Sequence, residues 1–126
     1  MAKICALDDE QKFLDLMRLA LETVGHEVIA FRDGKEAMFH VSHPRNPPPD
    51  IILLDANMPN IDGETFWAFL QQAERTRNIP VILITGNTEV IKTFGDGKNN
   101  IAAILEKPFD LNVLRTKVSQ ILAAKK

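Results

Sequence analysis

Carboxylates, a hydroxyl and an ammonium stand at the ends of short hydrophobic runs in this chain, and together they could handle phosphate. Ile51-Ile52-Leu53-Leu54 runs into Asp55, Val81-Ile82-Leu83-Ile84 into Thr85, and Ile104-Leu105-Glu106 into Lys107-Pro108. Upstream, Ile4-Cys5-Ala6-Leu7 ends in Asp8-Asp9-Glu10. Gathered at one place, Asp8, Asp9 and Asp55 would repel one another, by about 4 kcal/mol per pair at about 4 Å and an effective dielectric of about 20. Relief comes from a proton, a neighbouring cation or a metal. Hard oxygen ligands suit Mg²⁺, which keeps several waters and takes few protein ligands. Mg²⁺ and the Lys107 ammonium would clamp a phosphoryl group, with Thr85 hydrogen-bonding one of its oxygens. Asp55 is then the natural nucleophile, because a carboxylate accepts phosphoryl to give an acyl phosphate.

Such a site requires the runs to be parallel strands, whose C-terminal ends line the edge where open α/β sheets bind ligands. The rest of the pattern agrees. Residues 3–7 read as a buried strand, and residues 10–24 carry a helical stripe at Phe13, Leu16, Met17, Ala20, Leu21 and Val24, closed by Gly25. Residues 27–31 read as a second strand, followed at Asp33-Gly34 by a short helix through Ala37, Met38 and Val41. His43 to Pro49 holds four prolines in seven residues and is a stiff loop into the third strand, 50–54. A helix over about 64–76 with Phe66, Trp67 and Leu70 inward, a fourth strand after Pro80, a fifth near 102–106 and a last helix capped by Asp110 complete the series. Five βα units with continuously apolar third and fourth strands predict a doubly wound α/β fold, a parallel sheet with helices on both faces. A further helix is expected from Asn87, weakened by Gly95 and Gly97 and passing into an irregular loop.

Bulk composition narrows the setting. A chain of 126 residues fits one domain, 1–126, and a net charge of −2 leaves no basic footprint for gripping nucleic acid. The single cysteine, Cys5, forbids a disulfide within the chain and fits a reducing cytoplasm. No apolar run approaches a membrane span, and Met1-Ala2-Lys3 leads straight into the first strand, so no signal peptide is expected.

With these residues in place, the sequence resembles the response-regulator receiver domain of two-component signalling. The likeness rests on Asp8-Asp9-Glu10, on Asp55-Ala56-Asn57-Met58-Pro59 with Gly63, on Thr85-Gly86 and on Glu106-Lys107-Pro108-Phe109. Asp55 precedes Thr85 by thirty residues and Lys107 by fifty-two, spacings that the family keeps. The resemblance implies a flavodoxin-like fold with strand order 2-1-3-4-5. It implies that Asp55 takes phosphoryl from a phosphohistidine, on a sensor histidine kinase or a histidine phosphotransfer protein, and signals to a downstream effector protein or domain. It makes Asp9 a direct Mg²⁺ ligand, Asp8 a ligand through water, and Asn57 a ligand through its backbone carbonyl. Thr85 and Lys107 would contact phosphoryl oxygens, with the Lys107-Pro108 peptide cis.

Two departures stand out. Ile104 occupies the position where receivers usually carry Tyr or Phe, and the helix after Asn87 is weakened, so signalling through a different rearrangement or by docking is expected. Phe13, Leu14 and Leu16 are candidates for kinase docking on the first helix, with Leu14 and Leu19 exposed. Cys5 and Trp67 are expected in the core and His26, His40 and His43 on the surface. A phosphatase of the haloacid dehalogenase type would want a second aspartate where Asn57 stands. A silent receiver used only for binding fits poorly with the complete acid, Thr and Lys set. The effector, dimerisation and the cognate kinase are open.

Overall fold

The computed structural model describes residues 2–56, 58, 61–86 and 101–124. Strands Lys3–Leu7 (β1), Glu27–Phe31 (β2), Ile51–Asp55 (β3), Val81–Thr85 (β4) and Ile101–Glu106 (β5) form one parallel sheet in the order β2-β1-β3-β4-β5. β3 and β4 are buried at every position, as strands covered on both faces must be. Alternate residues feed two cores. Ile4, Ala6, Ile51, Leu53, Ile82 and Ile84 pack with Leu14, Met17 and Leu21 of helix α1 (Gln11–Glu22) and with Leu114 and Val118 of helix α5 (Leu111–Ala124). Cys5, Leu7, Ile52, Leu54, Val81 and Leu83 face the other way. They meet Ala37 and Val41 of α2 (Gly34–Ser42) and Phe66 and Leu70 of α3 (Gly63–Gln71). The fold is the expected doubly wound, flavodoxin-like one.

Local chemistry sets the joints. Gly25 at φ 98° closes α1, with Gly25 N–H donating to Glu22 O and His26 N–H to Leu21 O, both at 3.1 Å. Asp33, Asp62 and Asp110 each accept a backbone N–H at the start of α2, α3 and α5. Gly63 permits a close approach: a Cβ there would lie 2.8 Å from Ala56 Cα, and Gly63 N–H donates to Ala56 O at 3.0 Å. Ala56, next to Asp55, is thereby held against the head of α3.

Three expectations are corrected. The helix expected over 64–76 is two, because Ala73 is extended at φ −129° and ψ 143° between α3 and a short α4 (Glu74–Arg77). The Thr76 hydroxyl donates to Leu70 O at 2.7 Å, taking the carbonyl that a continuous helix would have bonded to Glu74 N–H. In α1 the buried stripe is Leu14, Met17, Ala20 and Leu21. Leu14 is 2% exposed, whereas Leu16 is 37%, Leu19 61% and Val24 54% exposed. Met17, Ala20 and Leu21 are buried and Leu19 exposed as expected, but Leu14 joins the buried stripe while Leu16 and Val24 leave it, the side that meets both β1 and α5 being the buried one. The histidines are half-buried rather than free on the surface. His26 Nδ1 accepts Ala2 N–H at 3.2 Å, and the His40 ring lies 5.3 Å from Phe31. Trp67 is half-buried against the α2–α3 core, and Cys5 is wholly within it. The helix expected from Asn87 and its adjoining loop lie outside the described residues.

Candidate functional site

Register brings the acids together. Leu7 pairs with Leu54, so the next residues on β1 and β3, Asp8 and Asp55, emerge side by side at the C-terminal edge. Asp55 pairs in turn with Ile84, and Thr85 with Glu106. One residue further, Lys107 N–H donates to Thr85 O at 2.8 Å and the Lys107-Pro108 peptide is cis, as expected. Asp8 and Thr85 are fully buried and Asp55 is 4% exposed.

The Lys107 ammonium sits at the centre of this edge. Its Nζ lies 2.9 Å from Asp8 Oδ2, 3.3 Å from Asp55 Oδ2 and 3.4 Å from Glu10 Oε1. Burial pulls its pKa down, but contact with Asp8 and the charge of Asp55 outweigh that, and the net shift is upward. Lys107 is therefore firmly cationic at neutral pH. Its Nζ also lies 4.3 Å from the centroid of the Phe13 ring.

The acidic run is folded back on itself. Asp8 Oδ1 accepts Glu10 N–H at 2.9 Å, and Asp8, Asp9 and Glu10 each bring a carboxylate oxygen within 4.8 Å of the others. Asp8 Oδ2 is buried and, apart from the ion pair with Lys107, has no hydrogen-bond partner among the described residues. An all-oxygen donor set around a buried, incompletely satisfied carboxylate fits a hard divalent cation.

The structure thus brings together Asp8, Asp55 and Lys107, sets Asp9 beside them in the acidic run and places Thr85 at the adjoining strand end. Asn57 lies outside the described residues. Two participants escape the sequence. Glu10 reads there as part of an acidic run without a role of its own, although three consecutive acids signal excess charge at the strand end. Phe13 reads as core or docking surface, and its sequence neighbours give no hint of Lys107. Leu14 leaves the docking surface because it is buried, and Leu16 and Leu19 remain on the outer face of α1. Ile104 is half-buried against the α2–α3 core.

Comparison with known proteins agrees with this geometry. Residues 4–119 match the response regulator receiver domain. The chain is 31% identical over 125 residues to the DNA-binding dual master transcriptional regulator RpaA of Synechocystis sp., covering 97% of this chain and 49% of that protein. It spans about half the length of that relative. The solved structure of the chemotaxis response regulator CheY4 of Vibrio cholerae superposes with a TM-score of 0.84 at 26% identity, covering 96% of this chain and 98% of that one. The Mn²⁺-bound form of response regulator Rcp1 gives 0.74 at 29% identity, covering 96% and 91%. With strand order, acid cluster and family match in agreement, the chain belongs to the response-regulator receiver domains.

Proposed function

We propose that this chain is a phosphoacceptor in a two-component relay, with Asp55 taking the phosphoryl group. The observation that carries the reading is the Lys107 ammonium bridging Asp8 and Asp55 at 2.9 and 3.3 Å in a buried crevice. Nothing in the fold requires two buried carboxylates there, whereas an incoming dianion requires a cation already in place. An Asp55 carboxylate oxygen attacks phosphorus, the P–N bond of a phosphohistidine breaks, and the departing imidazole takes up a proton. The product is a mixed anhydride on Asp55. Lys107 pairs with a phosphoryl oxygen, and the Thr85 hydroxyl hydrogen-bonds another.

Asp8, Asp9 and Asp55 would hold Mg²⁺ with the backbone carbonyl of Asn57, the buried Oδ2 of Asp8 and the all-oxygen set being the fitting donors. A bound Mg²⁺ would offset the carboxylate repulsion and neutralise charge on the phosphoryl oxygens. The donor is a sensor histidine kinase or histidine phosphotransfer protein, in the cytoplasm, and the receiver of the signal is an effector protein or domain. Ile104 in place of an aromatic points to output by altered docking rather than by an inward-swinging ring.

Incubation with phosphoramidate and Mg²⁺, then intact mass, tests the reading. One phosphoryl group should add to the wild type and none to Asp55→Ala. Repeated turnover of a generic phosphate ester, without stoichiometric labelling, would instead mark a phosphatase.

A further inference from the structure

We propose that Phe13 is a positioning residue for Lys107, its ring face keeping the ammonium in the crevice when a divalent cation engages the surrounding carboxylates. The proposal rests on the phosphoacceptor reading for its consequence, though not for its geometry. The Lys107 ammonium has three N–H donors, and three carboxylates lie within 3.4 Å of it, on Asp8, Asp55 and Glu10. A divalent cation in the crevice would draw the same carboxylates toward itself. Each one so engaged is partly neutralised and holds Lys107 less. The ring of Phe13, 4.3 Å from Nζ, attracts the ammonium through its quadrupole and has no lone pair to offer a hard metal. Its hold is independent of metal loading, and it uses none of the N–H donors that phosphoryl oxygens need.

The ring is itself fixed. Phe13 is half-buried, packs against the core beneath α1, and faces the Phe109 ring at 6.2 Å with an interplanar angle of 30°. Phe109 stands two residues after Lys107, so the aromatic pair ties α1 to the segment that carries the lysine. A side chain serving only to fill this space would be replaceable by any apolar group of similar size, and the two roles therefore separate by experiment.

The test uses the full chain as wild type, Phe13→Leu and Phe13→Trp, with and without saturating Mg²⁺. One arm reads the proton shifts of the Lys107 Cε methylene, which a ring face at this distance moves upfield. The other reads the rate of labelling by phosphoramidate. Phe13→Leu should lose the upfield shift in both metal states and label about five-fold more slowly, with an unchanged Mg²⁺ midpoint, while Phe13→Trp keeps the shift and labels within about two-fold of wild type. Persistence of the upfield shift in Phe13→Leu overturns the proposal, as does its loss with labelling at the wild-type rate. Absence of labelling in the wild type would instead overturn the phosphoacceptor reading. The methylene shift alone would then decide whether Phe13 holds Lys107.

Discussion

At the N-terminal end of the sheet, Asp50 accepts Lys3 N–H at 2.8 Å and returns a bond from its own N–H to Lys3 O at 2.7 Å. Beside it, Glu27 N–H donates to Ala2 O at 2.9 Å while His26 accepts the Ala2 N–H. These polar groups close against backbone within one seam. At the C-terminal end, Asp8, Asp55 and Glu10 instead share one ammonium, and the two aspartates are buried. The same strands carry both ends, so the difference lies in the residues that terminate each apolar run rather than in the sheet. A seam closed by backbone bonds serves the fold. Removing two carboxylates from water adds little net stability even with Lys107 paired to them, since burying charge costs about as much as pairing returns. On the proposed phosphoacceptor reading, the contrast is between a crevice that receives a phosphoryl group and a seam that serves only the fold.

The largest test of this contrast is Lys107→Met. Leaving Asp8 and Asp55 buried without their cation should lower stability to urea by about 3 kcal/mol, part of which saturating Mg²⁺ restores. A loss under about 1 kcal/mol, or no response to the metal, would remove the distinction between the two ends. Next comes the seam itself. Asp50→Ala breaks one side-chain closure and should cost about 1 kcal/mol, while phosphoramidate labels Asp55 at the wild-type rate. Slowed labelling in that variant would mean that the ends communicate.

The smallest effect belongs to His26. Burial disfavours its imidazolium, so its pKa in the folded protein lies below the ordinary 6.5. The folded state binds the proton less readily than the unfolded chain does. The stability it contributes is therefore complete above the unfolded value and declines as pH falls through the folded one. Thermal melts from about pH 7.5 to about pH 5 should show a shallow decline that is weaker in His26→Gln. An equal decline in the variant would assign the effect to other groups.

Much of the site was legible because strand ends are chemically conspicuous. Asp55, Thr85 and Lys107 each terminate an apolar run, and only a parallel sheet puts such residues at one edge. The burial of Leu14 rather than Leu16 on α1 was not legible. Phe13, Leu14, Leu16, Met17 and Leu19 are all apolar, so two stripes of similar strength coexist, and packing against β1 and α5 chose between them. The break before α4 was hidden for another reason. It depends on the Thr76 hydroxyl taking Leu70 O, a local competition that an apolar stripe does not report. The contacts of Glu10 and Phe13 with Lys107 were not legible, because they exist only relative to a lysine ninety-seven residues from Glu10 along the chain.

Cys5 carries a practical consequence. Enclosed in the core, its thiol has its pKa pushed up to about 12 by burial, which disfavours the reactive thiolate at neutral pH. The native sulfur is thus silent toward maleimides, and it is the sole cysteine of the chain. A Lys12→Cys variant, altered at an exposed position of α1 next to Phe13, would take a single fluorophore without any need to delete Cys5. Dye emission could then follow occupancy of the neighbouring crevice in real time.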